Sequence, residues 1–62
     1  MSNQTQPDST ARITDTVLVN LYNLGDFWRW ELVGSDGSFI QQGFGDDRDS
    51  AHDNAADAAA SL

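Results

Sequence analysis

Sixty-two residues allow one small domain, and a domain of this size buries only about 60% of its unfolded surface, so it commonly needs disulfides, a metal or a second chain. The absence of cysteine excludes disulfides and thiolate metal sites, and the single histidine argues against a histidine-based structural zinc, so a second chain is the first expectation for extra stability. Ten Asp plus Glu stand against three Arg and no Lys, a net charge of −7 that repels nucleic acid and anionic membranes and attracts basic surfaces.

The acid has a second reading. Nine of the ten acids are Asp, and a Lys-free chain rich in Asp and Ala is also what a GC-rich genome or a salt-loving host produces. No apolar stretch approaches the ~18 residues needed to cross a bilayer. The N-terminal residues lack the basic-then-apolar order of a signal peptide. The chain reads as soluble and cytoplasmic, and the glycosylation sequon Asn3-Gln4-Thr5 reads as a chance match in a floppy tail.

Residues 1–13 are polar, rich in Ser, Thr and Gln, broken by Pro7 and without periodicity; they are expected to form a disordered tail. A single domain is expected over 14–62. Thr16 to Tyr22 is β-branched and aromatic, which suits a strand with Val17, Val19 and Leu21 on one face and Leu18, Asn20 and Tyr22 on the other. Asn23-Leu24-Gly25-Asp26 is a turn signal. A second strand is expected over Phe27–Val33, with Trp28, Trp30 and Leu32 opposite Phe27, Arg29, Glu31 and Val33. Gly34-Ser35-Asp36-Gly37 tolerates the positive φ of a hairpin connection, and a third strand follows from Ser38 to about Phe44.

The period then changes. Ala51, Ala55, Ala58, Ala59 and Leu62 recur at helical spacing as one apolar stripe, with Asp46 or Asp47 placed to cap the helix. The expected fold class is α+β: a three-stranded antiparallel meander with one C-terminal helix on one face (βββα). Trp28 and Trp30 would share the face beneath the alanine stripe and fill the core there. One helix covers one side only. The other side would expose Leu18, Tyr22, Phe27, Val33 and Phe39 around Asn20, Arg29, Glu31 and Gln41, an apolar surface that marks a partner site, with a homodimer as the first expectation.

The runs Val19-Asn20-Leu21-Tyr22, Gly25-Asp26-Phe27-Trp28-Arg29-Trp30-Glu31-Leu32 and Asp36-Gly37-Ser38-Phe39-Ile40 resemble the YegP-like family of small uncharacterised domains. Members read as an aromatic-rich strand, a Gly-containing turn, an Arg-Trp core, an Asn-Gly segment ending in Ile, and a helix. The likeness covers about residues 17–62. It implies a sheet-plus-helix unit and dimer-like pairing of such units, with no established activity. This chain departs from the family in Gln42-Gly43-Phe44-Gly45 and in an acidic rather than Lys-rich helix. The outline is also similar to the DNA-reading sheet domains of phage integrases, but those use basic faces, and here that face has only Arg29, so direct nucleic-acid binding is not expected.

Asp49, Asp53 and Asp57 are spaced four apart, so they stack along one side of the helix at ~6 Å intervals. Asp46 extends the row if the helix starts early, and Asp47 sits beside it. An ordinary solvated helix face accounts for such a row. The sharper reading is a docking stripe, imitating a nucleic-acid backbone, for a basic nucleic-acid-handling protein. The Asp46, Asp47, Asp49, Asp53 group lacks the Gly and Glu of an EF-hand loop, so no dedicated metal site is expected. Ser50, His52 and Asp53 are the right types for a hydrolytic triad, but helix neighbours at that spacing do not converge. No cofactor motif is present. The expectation is a dimeric, non-enzymatic interaction module whose acidic helix meets a basic partner, such as an inhibitor carried by a phage or other mobile element. The alternative is a YegP-like cytoplasmic protein whose acidity reflects its host.

Overall fold

The alternation of Val17, Val19 and Leu21 with Leu18, Asn20 and Tyr22 divides a strand into two chemically different faces, and the sheet is built outward from it. The computed structural model describes residues 6–62, in the order β1 (Ser9–Thr14), β2 (Val17–Asn23), β3 (Trp28–Gly34), β4 (Phe39–Gly45) and α1 (Arg48–Ala60). The strands form one antiparallel sheet in sequence order. The class is α+β with an antiparallel sheet and one C-terminal helix, as expected, but the sheet has four strands rather than three. The extra strand, β1, occupies Ser9 to Thr14, most of it inside the segment read as a disordered tail. Residues 1–5 of that expected tail lie outside the described residues. β1 is tied down at its start, where the Asp8 N–H donates to the Leu21 carbonyl at 2.8 Å and the Asp8 carboxylate accepts from the Asn23 N–H at 2.7 Å.

The turns follow the expected chemistry. Gly37 has φ +92°, and the turn closes through Gly37 N–H to the Gly34 carbonyl and Gly34 N–H to the Ser38 carbonyl, both at 2.8 Å. The Asp36 carboxylate accepts from both the hydroxyl and the N–H of Ser38, which holds its carboxyl below the usual range. Beyond the turn the register slips. Val33 pairs with Phe39 but Leu32 pairs with Gln41, so Ile40 is an extra residue in β4 and packs against the core. Such a bulge breaks the alternation of a strand.

The core lies between the sheet and α1: Val17, Val19, Leu21, Trp30 and Leu32 from the strands, and Ala51, Ala55 and Ala59 from the helix. The alanine stripe is therefore the inner face. Leu62, expected to continue it, is 66% exposed, because the helix stops at Ala60 and Ser61 caps its end through an N–H bond to the Ala58 carbonyl. Asp47 is the N-cap, accepting the Ser50 N–H at 2.8 Å. That bond holds the Asp47 carboxyl below its ordinary range.

Small residues let the helix lie close. A Cβ on Gly45 would stand 2.4 Å from the Ala51 nitrogen, and one on Gly43 would stand 2.3 Å from the Trp30 ring. Trp30 thus lies directly against the Gly43 backbone, 5% exposed. Trp28 is only half-buried, at the edge of this core, so one indole rather than two is sealed beneath the helix. The Asn54 amide bonds the Phe44 carbonyl at 3.0 Å, fastening α1 to β4.

Candidate functional site

The sheet face away from the helix is ordered by register into three rows that cross the strands. Arg12, Leu18, Val33 and Phe39 are successive partners in the first, and Thr10, Asn20, Glu31 and Gln42 in the second. Tyr22, Arg29 and Phe44 form the third. The middle row is knit by hydrogen bonds from Thr10 to Asn20 at 3.1 Å and from the Asn20 amide to Glu31 at 3.5 Å. Glu31 also accepts the Tyr22 hydroxyl at 3.0 Å. The Arg29 guanidinium lies 4.2 Å above the Tyr22 ring and donates to Gln42 at 3.0 Å, so it spends its charge on an aromatic face and an amide.

The expected interface residues Leu18, Tyr22, Arg29, Val33 and Phe39 are all brought to this face. Phe27 precedes β3 and packs edge-on against Phe44, with ring centroids 5.5 Å apart. Two details differ from the expectation. Gln42, not Gln41, shares the face with Arg29, because the bulge at Ile40 shifts the alternation by one residue. The face is also not one apolar sheet: a hydrogen-bonded polar row separates two rows that each carry an arginine, apolar side chains and one exposed phenylalanine. Its exposed apolar residues are Phe39 at 59%, Phe44 at 54% and Phe27 at 41%. Tyr22 is buried although it lies on the open side.

Burial, reinforced by the hydrogen bond to Glu31 and its charge, pushes the Tyr22 phenol above its ordinary value, against the smaller opposing pull of Arg29. A group whose folded pKa is raised holds its proton better in the native state. Its contribution is therefore fully present below the unfolded pKa and is lost as pH rises through the folded one. Tyr22 is the only tyrosine, so the tyrosinate absorbance reports it alone. Its titration midpoint is expected above about 10 in the native protein and lower in Glu31→Gln, where the carboxylate's share of the shift disappears. A midpoint unmoved by Glu31→Gln would contradict this pairing.

The acids lie elsewhere. Asp49, Asp53 and Asp57 are exposed on the helix side opposite Ala51, Ala55 and Ala59. Asp46 is exposed ahead of the helix and does not extend the row, and the carboxylate of Asp47 is taken by the cap. Arg48 pairs with Asp49 at 3.3 Å across side chains 52% and 91% exposed, a geometry worth little in water. Arg48, Asp49, His52 and Asp53 line a shallow open hollow on this outer face. Among the described residues, no three His, Cys, Asp or Glu side chains converge as a metal site would require. Among the same residues, no helix is long and apolar enough to cross a membrane.

Sequence reasoning missed Thr10, Arg12, Gln42 and Phe44 as members of the open face. β1 has too little apolar contrast between its faces to have announced the first two, and the register past the bulge was not readable for the others. Comparison with family models, with curated proteins and with solved structures returns no match for this chain, so the likeness to the YegP-like family rests on the motif residues themselves.

Proposed function

We propose that the chain is a small non-enzymatic protein-interaction module that presents the outer side of α1 to a basic protein partner and keeps its open sheet face for a second contact. The observation that carries this reading is the two-sidedness of the domain. Three aspartates four residues apart stand outward on α1 over a buried alanine stripe, while three half-exposed phenylalanines stand on the opposite side of the molecule. In its specific form the aspartate row imitates a nucleic-acid backbone, and the module inhibits a nucleic-acid-handling protein on behalf of a phage or other mobile element. Electrostatic complementarity of this kind steers encounter and fixes the partner.

The test is capture from host lysate by the immobilised chain, compared with the triple variant Asp49→Asn, Asp53→Asn, Asp57→Asn. The wild type is expected to hold a basic protein at low salt and release it as salt rises, and the variant to lose it. Equal capture by both chains would refute the docking stripe.

A second reading is favoured by where the remaining acids sit. Asp15, Asp26, Asp36 and the Asp46-Asp47 pair occupy every connection between elements, which is how a generally acidic surface is distributed. On that reading the protein is YegP-like and cytoplasmic, and its charge adapts it to its host. Lys-poor, Asp-rich composition in the proteins encoded beside it would favour this reading.

A further inference from the structure

We propose that the open sheet face takes a second copy of this chain, face to face, about a two-fold axis that runs across the strands along the Asn20–Glu31 row. Three observations lead there. The first is charge. On this face Arg12 and Arg29 are balanced by Glu31 and by Asp8 at the corner beside Tyr22. The other eight acids and Arg48 carry the whole −7 on the turns and the helix. Two copies meeting through the turns or the outer side of α1 would oppose like charge, whereas these faces carry no net charge.

The second observation is self-complementarity. A two-fold contact requires that whatever residue i meets in the partner, its counterpart meets in return. An axis across the strands keeps β4 over β4 and exchanges the two outer rows. Phe39, at one end of β4, then faces Phe44 of the second copy, at the other end, and Phe44 faces Phe39. The same operation sets Arg12 opposite Asp8 of the second copy along β1. Both sheet margins match under one rotation, the aromatic one by packing and the polar one by opposite charge. The axis also sets Glu31 against Glu31 of the second copy, a like-charge meeting that is eased because each carboxylate already accepts from Tyr22 and Asn20; Phe27 holds the Phe44 ring edge-on.

The third is size. Strands of seven residues at about 3.3 Å per residue, four abreast at about 4.8 Å, give a face of roughly 23 by 19 Å. A pair of such faces covers roughly 870 Å² in plan, just short of the about 1,000 Å² that a stable specific interface clears. The dimer is therefore a weak one that forms and dissociates as concentration changes.

The experiment is sedimentation equilibrium of the full chain over a concentration series, and it needs no basic partner, so it stands or falls apart from the aspartate row on α1. Wild type is expected to dimerise. Phe39→Lys and Phe44→Asp, both at exposed positions where folding is checked by circular dichroism, are each expected to weaken self-association by about tenfold. Mixed one to one, they restore one Phe–Phe contact and set Lys against Asp at the other, so the mixture is expected to associate to within about threefold of wild type. A wild-type chain that stays monomeric at every concentration overturns the proposal, including the case in which the face holds a different protein. Dimers indifferent to both substitutions overturn it too, and a mixture no tighter than its components overturns the two-fold axis.

Discussion

Replacing Trp30 by Ala is expected to remove about half or more of the folding free energy at 25 °C. Trp30 is the largest side chain in the core, 5% exposed, wedged between α1 and the Gly43 backbone. Truncating a buried Trp costs about 3–5 kcal/mol. A 62-residue domain at about 0.05–0.15 kcal/mol per residue has only about 3–9 kcal/mol in total. The glycine beneath has no side chain to offer and the facing helix residues are alanines, so little of the gap is filled from those two sides. Trp30→Phe separates packing from polarity. The indole Nε1 is buried without a hydrogen-bond partner, a burden of about 1–3 kcal/mol that Phe does not carry. Phe at this position is expected to lose much less stability than Ala. Urea unfolding followed by far-UV circular dichroism measures both; an Ala variant with a near-native midpoint would remove Trp30 from the centre of the core.

Replacing Gly45 by Ala is the second large effect, expected at about 3 kcal/mol, the upper end of the usual overpacking range. The new methyl would meet the Ala51 nitrogen at 2.4 Å, the Ala51 Cα at 2.6 Å and the Ser50 carbonyl carbon at 2.9 Å. All three are backbone atoms, so no rotamer change relieves the clash and the first turn of α1 must lift. Lifting it opens the contacts of Ala51 and Ala55 with the sheet and strains the Asn54 bond to Phe44. Gly37→Ala is the control. It has nothing within 4 Å and a φ of +92°, so it pays only the left-handed penalty of about 1–2 kcal/mol. If Gly45→Ala shifted the urea midpoint less than Gly37→Ala at equal m-value, the close seating of the helix would be wrong.

These two residues also show what the sequence made legible. The alternation in Val17–Tyr22 and Phe27–Val33, the Gly37 turn and the alanine period were strong signals, and β2, β3 and α1 follow from them within a residue or two. β1 was hidden because its inward residues Ser9, Ala11 and Ile13 are mostly small and only partly buried; a strand that buries little announces itself weakly. Gly43-Phe44-Gly45 lies where the third strand was expected to end, and each of its glycines marks a close approach that only tertiary structure reveals. The members of the open face were mostly visible, but the bulge at Ile40 was not, and it alone decides that Gln42 and Phe44 belong there. On the helix, the aspartate row was legible because only a 3.6 period was needed, while the capping role of Asp47 depended on where the first turn begins.

The strand order has a consequence for folding. Each strand pairs with its neighbour in the chain, and among the described residues the cover for their apolar side is the helix that follows them. Every strand pairing is local and hairpins close in about 1–10 μs, so the meander is expected to close ahead of the docking of the 13-residue helix. Until the helix docks, Trp30, Leu32 and Leu21 face solvent. The strong negative charge of the turns, present from the first hairpin onward, is then what keeps neighbouring unfinished copies apart.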